Sequence, residues 1–396
     1  MSNRQYVFIT PNIDGIGGAQ RYIACKSAWL MERGWSVTVF TLTCSSPVLL
    51  PFNGVNVVNI KELALKPSCL SSKQVARIVE LMQSSLCSNG EAFIESSTLS
   101  LSYWGELLAK AVRARHLVFH LAEMLPVLSR DERRFFAFKD SRHELAFISE
   151  DFYKSIFPVE SRSSGEHFLL ARMGSNVVDI SFDDLRDGAD CSVGVISRLE
   201  KPYLFGAING LVSFCSNHPD KKVLLDIVGD SPDKSINSKI EAMAGGSPNL
   251  HIVFRGALAE IPRGLLDSWD VALCKAGAAG LTSRAGVPTI QYGIETDECV
   301  GVRCFDFDPN QEGDLGTVHS TEECLERILV RGVCVRGQEK WDEPAYVSDF
   351  SSHLSYTGNQ QNKYFDTKKC KPTFLSFLSA KYHLLFGAEP PIKRRL

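Results

Sequence analysis

The chain has 396 residues, 44% of them apolar and 22% charged, with 43 basic against 46 acidic side chains and a net charge of −3. That length exceeds one ordinary compact core and implies two domains of roughly 150–200 residues each. The apolar fraction excludes an intrinsically disordered chain, and the charge balance supplies no overall field to draw in nucleic acid.

The N-terminus, MSNRQYVFIT, has one basic residue and a short apolar run that stops at Pro11, too short for a signal-peptide core. No stretch approaches the ~20 apolar residues of a membrane span. The twelve cysteines are scattered and contain no CxxC pair, so buried thiols in a reducing cytoplasm are expected rather than a disulfide framework or a zinc site.

Residues 6–10 (YVFIT) form a run of strand formers, and the turn-like segment PNIDGIGG (11–18) follows. Apolar residues at near-helical spacing then predict a helix over 19–33, closed by Gly34, and residues 37–42 (VTVFTL) predict a second strand. This is a βαβ unit, whose repetition implies a parallel sheet covered on both faces. Strands are expected at 55–60, 92–95, 116–120 and 145–148, with helices at 73–86, 103–114 and 130–139. A polar, acidic stretch over 174–190 marks a linker. A second α/β set follows, with strands at 192–196, 223–228, 251–254, 271–274 and 289–292. Its helices are expected at 203–215, 236–244, 261–268 and 278–285. The predicted organisation is a domain over 1–175, a linker over 176–190, a second domain over 191–350 and a tail over 351–396.

Two places carry chemistry on their own terms. Gly15-Ile-Gly-Gly18 lies between strand and helix, where backbone N–H groups seat a phosphate or simply make a tight turn. Its spacing is not GxGxxG. Arg198 and Lys201 follow the first strand of the second set, as a diphosphate clamp or as a solvated basic pair.

The order of these features resembles the family 4-like (group 1) glycosyltransferases of GT-B fold. The matching elements are GIGGAQRY (15–22), ERGWSV (32–37), NVVD (176–179), VISRLEKP (195–202), LDIVGD (225–230), VFRG (253–256) and AGVPTI (285–290). The resemblance runs from residue 6 to about 292 and rests on the ordered set rather than on any one motif. It implies an α/β protein with two doubly wound Rossmann-like domains facing across a cleft, the second binding a nucleotide sugar.

The resemblance also implies site residues. Gly17 and Gly18 would approach the donor's β-phosphate, and Arg198 and Lys201 would neutralise the diphosphate leaving group. Phe254 and Arg255 would meet the base. His120, at a strand end, would lie near the transferred sugar, with Asp14 and Glu123 as acceptor-side candidates. The activity implied is a hexosyltransferase-type, retaining transfer to a glycan or lipid-linked glycan, with no cofactor and no metal.

One departure stands out. The family has two glutamates seven residues apart before its G-x-P element, whereas residues 271–288 contain no carboxylate and are about two residues shorter. Losing a carboxylate that grips a buried diol removes roughly 1.5–3 kcal/mol. The nucleotide would then be held by the backbone of Gly277, Ala278, Ala279 and Gly280 and by the hydroxyls of Thr282 or Ser283. Glu295, Asp297 and Glu298 are candidate replacement acids. The same absence supports an alternative, a non-catalytic GT-B protein acting as partner of an active transferase, and counts against an epimerase of this fold. In the tail, residues 368–396 are basic at both ends and apolar between, either lying on an anionic membrane surface or packing back on the first domain.

Overall fold

The computed structural model describes residues 4–43, 52–86, 91–121, 127–148, 153–154, 156–157, 177–180, 186, 188–231, 233–293, 296–303, 320–334, 336–337, 350–351, 353–355, 363–375, 377–378 and 381–382. The chain divides into two compact units, Met1–Gly174 with Glu343–Leu396, and Ser175–Asp342.

The first unit runs β1 (Arg4–Asn12), α1 (Gly18–Glu32), β2 (Ser36–Thr43), β3 (Asn56–Asn59), α2 (Ser72–Ser84), β4 (Glu91–Ser96), α3 (Ser102–Val112), β5 (Arg115–His120), α4 (Arg130–Asp140) and β6 (Leu145–Phe147). Its six strands are parallel, in the order β3-β2-β1-β4-β5-β6. Alternation along β1 explains why the strand is apolar throughout. Tyr6 and Phe8 face Tyr22, Ile23, Trp29 and Leu30 of α1. Val7 and Ile9 face the other way, onto Val75 and Ile78 of α2 and Trp104 and Leu108 of α3. Each fully buried side chain of this size contributes about 1.5–3 kcal/mol.

Gly34 ends α1 as expected. At φ +76° it lets its own N–H reach Met31 O (2.9 Å) and the Trp35 N–H reach Leu30 O (3.0 Å), the paired bonds of a Schellman stop. Capping boxes start α2 (Ser71 with Gln74) and α4 (Ser129 with Glu132).

Buried charge ties this unit together. Lys26 and Glu95, both fully buried, pair at 2.6 Å. Glu95 also accepts from the hydroxyls of Tyr6 (2.5 Å) and Tyr22 (3.0 Å). Lys139 donates to Glu106 (2.9 Å), Glu144 (2.6 Å) and the His116 carbonyl (3.0 Å). Burial, and then Lys139, lower the His116 pKa to about 4, so the neutral ring takes a bond from Ser96 and faces Glu106 through Nδ1.

The C-terminal segment reads these same networks. His353 Nδ1 lies 3.1 Å from Lys26 Nζ, and Phe350 packs edge-on to Trp29 and Tyr22. The Phe365 N–H donates to Glu106 (2.8 Å), and Ser68 donates to the Cys370 carbonyl (2.7 Å). Beyond this packed stretch, Phe374, Leu375 and Leu378 are 73%, 61% and 45% exposed.

The second unit contains β7 (Val177–Val178), β8 (Cys191–Ile196), α5 (Pro202–Asn217), β9 (Val223–Val228), α6 (Ser235–Ala244), β10 (Leu250–Gly256), β11 (Ile261–Pro262), α7 (Arg263–Asp267), β12 (Val271–Lys275), α8 (Ala276–Arg284), β13 (Thr289–Tyr292), β14 (Cys299–Arg303) and α9 (Thr321–Leu325). Its main sheet, β10-β9-β8-β12-β13-β14, repeats the strand order of the first unit, with β14 antiparallel at the edge. Three features depart from the expected pattern. Residues 177–178, expected in a linker, form a strand paired with 261–262, which shortens the helix expected there to Arg263–Asp267. Strand β14 and helix α9 were not expected at all.

Val193 and Val195 of β8 enter the unit's main core. Between them Gly194 lies under the Trp269 indole, where a Cβ would sit 1.9 Å from the ring. Among the described residues eight cysteines are free thiols, as expected, but Cys334 is disulfide-bonded, against expectation. Among the described residues no helix is long and apolar enough to cross a membrane.

Candidate functional site

In an open sheet of this order, the direction of strand addition reverses between the first and fourth strands, and ligands bind beyond the carboxyl ends of those two. In the second unit they are β8 and β12, paired through Val193↔Val271 and Gly194↔Ala272. Extending that register places Lys275, the last residue of β12, level with Ser197, the first beyond β8.

The β8 end is shaped by one close approach. The Ser197 carbonyl oxygen would lie 1.7 Å from a Cβ at residue 229, so only glycine fits there, at φ +154°. This is the glycine of the LDIVGD element. The chain then turns, with the Lys201 N–H on the Arg198 carbonyl (3.2 Å), and α5 starts at Pro202. The Arg198 side chain is 65% exposed, with a 3.5 Å contact to Glu200, and Lys201 is the residue before the helix.

The β12 end is cationic as well. Lys275 precedes α8, whose start has no side-chain cap and no acidic residue in its first turn. Its free N–H groups and dipole therefore favour an anion. Ala276 enters α8 at φ +51°, a left-handed conformation costing an alanine roughly 1–2 kcal/mol. Lys275 Nζ, on a side chain only 9% exposed, pairs with Asp297 at 2.5 Å and lies 5.9 Å from the Tyr203 ring centre. Lys275 is the site residue that sequence reasoning underrated, although a cation at a strand end before Ala-Gly-Ala-Ala-Gly was a readable signal. Gly277 is exposed beside it, Ala278 is half-buried, and Ala279 and Gly280 are buried.

Several expected contacts are corrected. Thr282 and Ser283 are fully buried, so their hydroxyls do not present themselves to a ligand. Thr282 Oγ1 bonds Thr289 Oγ1 (2.7 Å) and the Ala278 carbonyl (3.1 Å), and Ser283 turns back to the Gly280 carbonyl. Arg255 does not offer its guanidinium to a base. Its Nε and one terminal nitrogen hold Asp226 on the neighbouring strand at 2.7 and 3.0 Å. Phe254 is half-buried against the main core of the unit. Of the candidate replacement acids, Asp297 is committed to Lys275, Glu298 is exposed, and Glu295 lies outside the described residues.

In the first unit the corresponding reversal lies between β1 and β4. Gly17 and Gly18 connect the end of β1 to α1, which again starts with neither a side-chain cap nor an acid in its first turn. Gln20 folds back across this turn to Asn12 (2.6 Å), and a Cβ at Gly17 would meet its carboxamide oxygen at 2.8 Å. Asp14 is half-buried in the same loop. His120 ends β5, two strands from β1 on the same edge of the sheet, and is buried edge-on to Phe147. Glu123 lies outside the described residues.

No protein-family model and no curated protein sequence matches this chain. Among solved structures it is similar to a glycosyltransferase from Rickettsia africae, at 9% identity over 98% of this chain and 100% of that one, with a TM-score of 0.59. It is also similar to Anabaena HepE in complex with UDP and glucose, at 13% identity over 89% and 95% of the two chains, with a TM-score of 0.56. A third is sucrose-phosphate synthase from Thermosynechococcus elongatus, at 14% identity over 97% and 100%, with a TM-score of 0.51. What is shared at such identities is the fold, and the chain has the GT-B architecture of two Rossmann-like units.

Proposed function

We propose that the chain is a family 4-like glycosyltransferase that moves a sugar from a nucleotide-sugar donor to a glycan or lipid-linked glycan. The observation that carries this reading is the strand-end edge of the second unit, where Arg198 and Lys201 follow β8 and Lys275 ends the neighbouring β12 just before the uncapped start of α8. Transfer releases a nucleoside diphosphate, and positive groups fixed where that charge develops stabilise the transition state. Three cations and a helix start supply this without a metal ion, so transfer is metal-independent and unaffected by chelators. The reaction retains anomeric configuration, with Gly17 and Gly18 at the donor phosphate, His120 serving the sugar and Asp14 and Glu123 the acceptor.

The test is thermal unfolding with UDP, GDP, ADP, CMP and dTDP, alone and as sugar conjugates. A ligand at ~100 times its dissociation constant adds about 2.7 kcal/mol, a midpoint rise of several degrees at this size. One nucleotide standing out is the expected result. A flat panel overturns the donor site and favours the non-catalytic partner, to be sought by co-purification with an active transferase.

The acceptor side of the proposal includes an anionic membrane on the cytoplasmic face, with a bacterial surface polysaccharide as the product. Exposed Phe374, Leu375 and Leu378 are flanked by Lys368, Lys369, Lys371 and Lys381, the pairing of apolar and basic groups that such a surface attracts. The chain is expected to sediment with phosphatidylglycerol vesicles and not with phosphatidylcholine ones, and Phe374→Ser with Leu375→Ser to abolish this. Equal recovery of the variant with the vesicles would remove the tail from the acceptor side.

A further inference from the structure

Strand β14 is the edge strand of its sheet, and Cys299 is its first residue, paired with Tyr292 next to an irregularity in the register. An edge strand at such a point has one neighbour rather than two to hold it. Cys299 is half-buried, while Cys324, on α9, is fully buried in the main core of the unit. Their sulfurs lie 3.6 Å apart across 25 positions of sequence. That is van der Waals contact, and a disulfide needs an approach of only ~1.5 Å more.

The surroundings prepare one of the two sulfurs for reaction. The Cys324 S–H, and secondarily the Gly301 N–H, lower the pKa of Cys299 against the opposing effect of burial. The same contact, and then burial, raise Cys324, while burial pushes four other core thiols up, Cys191 to about 11 and Cys215, Cys274 and Cys370 to about 12. A thiolate attacks a disulfide and a thiol does not, so Cys299 is set apart from these four. Oxidised sulfur already occurs in this core, since Cys334 is disulfide-bonded and belongs to the same cluster as Cys324.

We propose that Cys299 and Cys324 form a reversible dithiol, which a low-molecular-weight disulfide converts to an intrachain disulfide joining β14 to α9. The Cys299 thiolate attacks one sulfur of the small disulfide and expels the other half as a thiolate, leaving a mixed disulfide on Cys299. Cys324 then gives up its proton and attacks the Cys299 sulfur, expelling the second half. Two protein thiols are oxidised, one small disulfide is reduced to two thiols, and reduction by excess thiol runs the steps backwards.

The experiment treats the full chain with oxidised glutathione, blocks remaining thiols with N-ethylmaleimide, and maps the digest by mass spectrometry without reduction. The expected product is a linked peptide pair containing Cys299 and Cys324, formed at the expense of their alkylated forms and lost on treatment with excess glutathione. Closing this loop also raises the unfolding midpoint of the oxidised chain by roughly 5–10 °C. In Cys324→Ala the same treatment stops at glutathione on Cys299, with no rise. Recovery of both residues alkylated, a mixed disulfide that persists on Cys299 in the unaltered chain, or Cys299 joined to a different cysteine would each overturn the proposal.

Discussion

Replacing Arg198 by Ala together with Lys275 by Met is expected to weaken nucleotide binding by roughly 10²–10⁴-fold while leaving the fold intact. On the proposed reading each cation holds the diphosphate through a charge-assisted bond of about 1.5–3 kcal/mol, and every 1.4 kcal/mol is tenfold in affinity. The two act on one anion, so the double variant falls short of the product of the singles. Folding is spared for reasons visible in the structure. Arg198 is largely exposed, and the Asp297 side chain that loses Lys275 is 30% exposed and can be solvated. Arg198→Lys keeps the charge and loses the two-pronged geometry, so it belongs between the native chain and Arg198→Ala. Titration calorimetry with the nucleotide identified by the unfolding panel reads all four chains. Undiminished affinity in the double variant would place the donor elsewhere.

The largest stability effect is expected at Glu95→Ala, a loss of about 3–5 kcal/mol that leaves Lys26 buried without its counter-charge. Total stability of a domain is about 5–15 kcal/mol, so a large fraction disappears with one side chain. Lys26, Glu95, Tyr6, Tyr22 and His353 form one connected network. The three protons of Lys26 go to Glu95, to the Tyr22 hydroxyl and to His353 Nδ1, and the two tyrosine hydroxyls donate to Glu95. Truncating the acceptor strands three groups at once, Lys26 and the hydroxyls of Tyr6 and Tyr22. Lys26→Met combined with Glu95→Leu is expected to recover part of the loss, because an apolar pair of similar volume needs no counter-charge. Urea midpoints of the three variants measure this, and a shift below about 1 kcal/mol for Glu95→Ala would contradict the network as described.

Much of the fold was legible because parallel strands covered on both faces leave apolar runs such as YVFIT and VTVFTL, and because Gly34 marks a helix end that requires positive φ. The parts that escaped depend on partners distant in sequence. Strand β14 is five residues long and has its place only as a neighbour of β13. Arg255 looked available because nothing local shows that Asp226, 29 positions away, stands beside it on the next strand. Thr282 and Ser283 were misjudged for a local reason that was readable. With Ala279 they recur at helical spacing three and four residues on, which turns them to the buried face of α8. That residues 271–288 carry no carboxylate is plain from the sequence, whereas the pairing of Lys275 at the strand end with Asp297 emerged only with the geometry.

The discontinuity of the first unit has a consequence for how the chain is made. His353 leaves the ribosome 327 residues after Lys26, which at ~5–20 residues per second is roughly 15–65 s. Once Phe147 has emerged, the nascent first unit has the six strands of its sheet, but not the acceptor for Lys26's third proton nor the Phe350 ring that covers Trp29 and Tyr22. The second unit, Ser175–Asp342, is synthesised whole within the same interval. The unit begun first therefore waits for residues 350–353, holding an apolar patch and an ammonium short of one acceptor open to whatever binds nascent chains.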